Sequence, residues 1–258
     1  MKRVGAVALN TFREAVRDRV LYNLVFFALL MIAAAIFVGQ ISIGIEEMVI
    51  KSLGLSAISL IGLLIAVFIG VGLVHKEMDK RTLYALLAKP VHRWEFLLGK
   101  FAGLVLTLAV NTAAMSMGLF LALLYIKHHL ESSDAVLLVA IFFILLKLML
   151  VVALALLFSC YSTPLLAILY TSAFYVAGMF VVELRTYRSA AISTFLSGLL
   201  RGISYVLPNF EDFDVLAAAA HGRAVPGTLI LQNTAYAFLY SALVLLIAIA
   251  VFSRRNMK

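Results

Sequence analysis

Four groups of polar residues interrupt an otherwise apolar chain of 258 residues, and each points to a different chemistry. Between His75 and Lys100, six basic residues (Lys76, Lys80, Arg81, Lys89, Arg93 and Lys100) are mixed with Glu77, Asp79 and Glu95. That mixture suits docking against another polypeptide, or simply the excess of positive charge that cytoplasmic loops carry. Lys147 is a lone cation within Phe143-Ile144-Leu145-Leu146-Lys147-Leu148-Met149. A charge at the centre of a membrane helix costs about 2.5–3.5 kcal/mol on insertion scales. It must therefore face a polar cavity, where it could meet an anionic substrate or headgroup on a translocation path, or be satisfied by carbonyls and hydroxyls at a helix seam. Asn111 poses the same choice between a helix–helix hydrogen bond and a path lining. His128, His129, Glu131 and Asp134 are metal-ligand types. Neighbouring histidines in a short loop diverge, however, and no metal site is expected.

Other chemistries have no footing in the sequence. No Gly-rich loop ends in Gly-Lys-Ser/Thr, so ATP, if it is used, is hydrolysed on another chain. No Ser/His/Asp or Cys/His constellation is visible, and no catalytic residue is assigned. The single Cys160 excludes an intrachain disulfide and a multi-cysteine metal site.

The elements that must position these residues follow from composition. The chain is 64% hydrophobic and 13% charged, against about 25% charged for soluble domains. Its apolar runs are continuous and about 20 residues long, which suits membrane helices and not the alternating segments of a β-barrel. Six spans are expected: 20–43, 53–74, 97–126, 135–158, 165–182 and 229–252. The acidic pair Glu46 and Glu47 reads as a turn between the first two. Gly62, Ala66 and Gly70 form a small-residue stripe that lets another helix approach. Gly99-x-x-x-Gly103 opens the third span. Residues 3–19 read as an amphipathic helix with Val4, Val7, Ala8, Phe12, Ala15 and Val16 on one face. About twenty mixed residues precede the first apolar run, so no cleavable signal peptide is expected. Leu83, Leu86 and Leu87 predict a short amphipathic helix that Pro90 stops. Within 183–228, the apolar spacing predicts a helix over 192–207 that Pro208 ends. A second helix is expected to start at Asn209-Phe210-Glu211-Asp212 and run to about Ala220, with Gly222 as its cap.

The central loop carries a resemblance. Glu77-x-x-x-Arg81-Thr82-Leu83, Leu86-Leu87-x-x-Pro90-Val91-x-Arg93 and Phe96-Leu97-Leu98-Gly99-Lys100 together resemble the cytoplasmic loop of permease subunits of type-2 ATP-binding-cassette (ABC) exporters. That family often has Gly where this chain has Arg81. The layout is similar to the permeases of the nitrous-oxide-reductase maturation and gliding-associated ABC systems. The resemblance implies an all-α permease domain over residues 1–258. It would have an N-terminal elbow helix (3–19), six transmembrane helices, a cytoplasmic coupling loop (75–97) and an extracytoplasmic helical or re-entrant region (183–228) before the last span. It also implies an ABC ATPase partner holding ATP and Mg, a second permease copy or a paralogue, and no cofactor in this chain. Glu77, Asp79, Arg81, Thr82, Leu83, Leu86, Pro90 and Arg93 become the ATPase-coupling residues, and Lys147 and Asn111 candidates for the path or a seam.

Charge supports this topology. With both termini and the His75–Lys100 loop in the cytoplasm, the inner segments hold 14 Lys and Arg against 5 acids, and the outer segments hold 6 against 8. The net charge of +8 is thus a membrane-topology signal, not a nucleic-acid footprint. A multi-pass protein of a prokaryotic inner membrane is expected. The alternatives are a secondary transporter, which would want deep intramembrane acids, or an integral membrane enzyme or assembly factor without ATP coupling.

Overall fold

The structure is a computed structural model that describes residues 2–42, 44–79, 92–127, 134–183, 202 and 206–254. It is an all-α bundle, with no strand among the described residues. Helices α1 (Lys2–Val16), α2 (Arg19–Ile41), α3 (Glu46–Asp79), α4 (Arg93–Lys127), α5 (Ala135–Ser159) and α6 (Pro164–Met179) follow in order. Among the described residues, a 3-10 turn (Glu211–Phe213), the short α7 (Leu216–Ala220) and the long α8 (Gly227–Arg254) come last. Helices α2, α3, α4, α5 and α8 are long and apolar enough to cross a membrane. α6, with 16 residues, is shorter. It rises about 24 Å from the turn that follows α5, whereas α5 itself is about 37 Å long. The start of α1, the start of α4 and the end of α8 lie together at what is here called the terminal end of the bundle. The starts of α3 and α5 and the end of α4 form the far end.

α5 is the centre of the packing. Every residue from Leu146 to Leu156 is buried, as expected of a helix that is apolar all round. The stripe on α3 is its seat. A Cβ at Gly62 would stand 2.6 Å from Leu148 Cδ1, and one at Gly70 would stand 3.4 Å from the Ala155 Cβ. Ala66 between them is buried.

α1 ends earlier than the expected 19, because Asp18 leaves the helix to cap the next one. Its carboxylate accepts from the Val20 amide at 3.0 Å, which starts α2 at Arg19. The partner of Gly99-x-x-x-Gly103 is α1 rather than another span. A Cβ at Gly99 would stand 2.6 Å from the Val7 Cβ, and one at Gly103 would stand 2.5 Å from the Ala8 carbonyl oxygen. The apolar side of α1 therefore rests on the first turns of α4. Arg3 reaches Glu95 at 4.0 Å, and the fully buried Lys100 reaches Glu14 at 3.8 Å.

At the far end, Glu46 and Glu47 are the first turn of α3 and not a connecting turn. Acids at a helix N-terminus are stabilised by the helix dipole, which extends the helix back to meet them. Glu47 pairs with Lys51 one turn on and with Lys127 of α4 at 2.8 Å. Lys51 and Lys127 also hold Asp134, at 2.6 and 3.5 Å, where α5 begins. Four charges thus tie three helix ends together.

The close seat at Gly103 generates a prediction. Gly103→Ala should destabilise the detergent-solubilised protein by about 1–3 kcal/mol, because its methyl group meets backbone that cannot rotate away. Gly72→Ala, where an added Cβ meets nothing within 4 Å, should be neutral or slightly stabilising. Thermal melts of the two variants beside the parent test this. Equal melting temperatures would show that α1 is not seated there.

Candidate functional site

Of the sequence-predicted coupling residues, the described ones are Glu77, Asp79 and Arg93, at the terminal end. Glu77 and Asp79 lie in the last turns of α3. Arg81, Thr82, Leu83, Leu86 and Pro90 lie outside the described residues. What is described is the base from which that loop leaves and to which it returns. On the leaving side, buried His75 places Nδ1 3.2 Å from the Val71 carbonyl and Nε2 2.9 Å from the Ser162 carbonyl. The end of α3 is thereby fastened to the α5–α6 turn. On the returning side, the Glu95 carboxylate accepts from the His92 amide at 3.0 Å. This is half of a capping box and fixes where α4 begins.

Arg93 sits in the first turn of α4, the wrong end of its own helix dipole for a cation. Its partner explains the choice. Nη1 donates to the carbonyls of Phe252 at 2.9 Å and Ser253 at 3.0 Å, the last turn of α8. The guanidinium lies 5.9 Å from the centroid of the Phe252 ring. That ring stacks on Phe96 at 6.2 Å, with Cys160 in the same small apolar cluster. Arg93 therefore caps the C-terminus of α8 while belonging to α4.

Lys147 lies midway along α5 and is 5% exposed. Its ammonium donates to the Ser59 hydroxyl at 2.7 Å across the α3–α5 seam. Asp214 is close enough to act on it electrostatically. No acid in the other spans could have been matched to Lys147 from sequence, because this one comes from the segment before α8. The adjacent Phe213 is fully buried and meets Phe143, one turn from Lys147, at 6.3 Å between centroids. Among the described residues, Asn111 makes its hydrogen bond within its own helix. Its amide donates to the Thr107 carbonyl of its own helix at 2.8 Å, one rung of a ladder with Thr107 on Gly103 and Ser116 on Thr112. Of the four residues with metal-ligand side chains, 128, 129 and 131 lie outside the described residues, and Asp134 is held by two lysines.

The described part of the 183–228 region runs into the bundle. The Phe210 amide donates to the Gly178 carbonyl near the end of α6 at 3.1 Å. A Cβ at Gly178 would stand 2.5 Å from the Pro208 carbonyl. Three side chains on one face of α8 hold the same segment. Asn233 donates to the Asp212 carbonyl at 2.6 Å, the Tyr236 hydroxyl accepts from the Asn209 amide at 3.1 Å, and the Tyr240 hydroxyl donates to the Val206 carbonyl at 2.7 Å. Counted by rise from the terminal end, Tyr240 lies about 20 Å along α8 and Lys147 about 18 Å along α5, so Val206 sits near the depth of the lysine. The expected helix start at Asn209 is a 3-10 turn, with the Asn209 Oδ1 accepting from the Glu211 amide at 3.2 Å. The chain breaks again at Asp214 before α7. The cap at Gly222 has φ +66°, the left-handed value that glycine adopts freely. The expected helix at 192–207 falls almost wholly outside the described residues. Sequence reading missed Asn233, Tyr236 and Tyr240, although spacings of three and four put their polar groups on one face of an apolar helix.

These features define a multi-pass membrane protein with a polar base at one end and a 206–213 segment held by α5, α6 and α8. The family model described as ABC-2 family transporter protein matches residues 5–257, and the chain belongs to that family. It is a type-2 ABC permease, a transport subunit. No curated protein matches it.

The Lys147 pair yields a second prediction. Ser59→Ala should cost about 1–3 kcal/mol, because it removes the hydroxyl that satisfies a buried ammonium. In a Lys147→Met background the same change should cost nearly nothing. A double-mutant cycle on unfolding in detergent measures the difference. Additive effects would mean that the two groups do not interact.

Proposed function

We propose that this permease is the transmembrane half of an ATP-driven exporter, working as a dimer over two separate ATPase subunits. The observation that carries the reading is the terminal-end base. Both sides of the 80–91 loop leave from anchored helix ends, through His75 to the α5–α6 turn and through Glu95 and Arg93 to α4 and α8. A push on the loop would therefore be passed into four helices and not absorbed by a flexible stem.

On this reading the terminal end, with both chain termini, faces the cytoplasm, and Glu77, Asp79, Arg81, Thr82, Leu83, Leu86 and Pro90 form the ATPase contact. Arg93 holds the return of the loop. ATP and Mg belong to the ATPase. The second copy, or a paralogue, would pack on the α6 face formed by Leu165, Ile168, Leu169, Ser172, Ala173 and Val176, an open apolar groove. Small residues there leave room for a facing helix, the usual basis of association in lipid. Export as the direction rests on the resemblance to exporters. Lys147 and Asn111 are the polar residues of the spans that a path could use, and the mainly aliphatic spans suit a hydrophobic or lipid-like cargo.

The test is a purification from gently solubilised membranes. An ABC ATPase should co-purify and hydrolyse ATP, and Arg81→Glu should abolish that hydrolysis, or the association itself, while leaving the permease inserted at parental levels. Undiminished hydrolysis in the Arg81→Glu complex would remove Arg81 from the contact. An intact permease that brings down no ATPase would remove the coupling altogether.

A further inference from the structure

We infer that α8 is the element that carries the ATPase stroke to the far side of the membrane, and that Arg93 is the positioning residue that ties the coupling loop to it. The inference rests on the ATP-coupled reading above and adds the route by which the loop reaches the 206–213 segment.

The two ends of α8 are both held by specific hydrogen bonds, and to the two parts of the protein that such a stroke must connect. At the terminal end, Arg93 joins the return of the loop to the Phe252 and Ser253 carbonyls. Toward the far end, Asn233, Tyr236 and Tyr240 hold three backbone groups of the 206–212 segment. The helix between has no Gly or Pro from Thr228 to Arg254, so it contains none of the residues at which helices usually bend. It is also a long helix that stands outside the far-end network. α3 and α5 are enclosed by neighbours, and α3, α4 and α5 are tied together at the far end by the Glu47–Lys51–Lys127–Asp134 network. α8 lies outside that network and is packed mainly on one side, with Leu231, Leu239, Leu243 and Leu246 exposed on the other.

Movement of the loop therefore has a direct line to the segment beside Lys147 and Asp214. Arg93 passes displacement to the end of α8, the helix transmits it along its axis, and the tyrosine and asparagine side chains pull or release the segment. α4, which also receives the loop, ends in the fixed network.

The experiment uses the permease–ATPase complex in lipid nanodiscs, with Cys160 replaced by serine and spin labels at Glu211 and Tyr125, both exposed. Trapping with ATP and vanadate should shift the distance between labels in the parent complex. The double variant Tyr236→Phe/Tyr240→Phe keeps both rings and removes two of the three attachments. It should hydrolyse ATP at the parental rate and lose at least half of the shift. Arg93→Ala, compared only as trapped complex, should lose the shift as well, and Arg93→Lys, which retains charge and donors, should restore it. A full shift in the tyrosine double variant would overturn the inference, as would an actively hydrolysing parent complex with no shift at all. Failure of any ATPase to co-purify is read before trapping and would withdraw the ATP-coupled reading and this route together.

Discussion

Inside a bilayer, a backbone amide or carbonyl that leaves a helix has no water to turn to, and each one left alone costs several kcal/mol. Much of this fold is arranged around that constraint. The 206–213 segment leaves α-helical geometry, with one turn of 3-10 helix at Glu211–Phe213. It can do so because Tyr240, Tyr236 and Asn233 meet the backbone groups of Val206, Asn209 and Asp212, and the Gly178 carbonyl meets the amide of Phe210. Polar side chains in the spans obey the same rule on a smaller scale. The hydroxyls of Thr107 and Ser116 and the amide of Asn111 turn back to carbonyls four residues earlier. These three bonds stay within α4, whereas α3 meets α5 through small residues, the Lys147–Ser59 hydrogen bond and the Lys51–Asp134 ion pair.

Charge is handled differently at the two ends of the bundle. The far end buries Lys51 and Asp134 to 2% and 3% exposure and closes them with Glu47 and Lys127. Removing one member of such a set would strand a buried charge at a cost of about 3–5 kcal/mol, so three helix ends behave there as one body. The terminal end adds side chain to backbone bonds, from His75, Glu95 and Arg93, to its Arg3–Glu95 and Lys100–Glu14 ion pairs, and these fix the described helix ends.

The sequence disclosed the spans readily, because continuous apolar runs of that length have few alternatives in folded proteins. It also disclosed the docking stripes, since small residues at intervals of four have a direct packing consequence. It did not disclose what docks. Gly99 and Gly103 could serve any helix, and only the structure shows the elbow helix α1 on them. Arg93 was visible as a loop residue, but its partners are carbonyls of Phe252 and Ser253, and backbone acceptors leave no trace in sequence. The match between Lys147 and Ser59 was hidden for a related reason. Both lie in the middle of long helices, and nothing local fixes the relative height of α3 and α5. The far-end ion network fixes it, and its members sit 12 and 13 residues from Ser59 and Lys147 in Glu47 and Asp134.

Asp214 sets a further requirement. Phe213 packs on Phe143, about 13 Å along α5 from the far end, yet the next residue, Asp214, is exposed. A carboxylate at such a depth cannot face hydrocarbon without a heavy penalty, so that side must meet protein or a water-filled space. Large side chains such as Phe26, Phe37, Leu231 and Leu246 on α2 and α8 can be solvated by lipid tails as they stand. Asp214 cannot, and neither can the neighbouring backbone of the 206–213 segment. On the reading proposed above, the dimer supplies the missing cover and the path supplies the water. The requirement itself comes from one exposed acid beside a buried lysine.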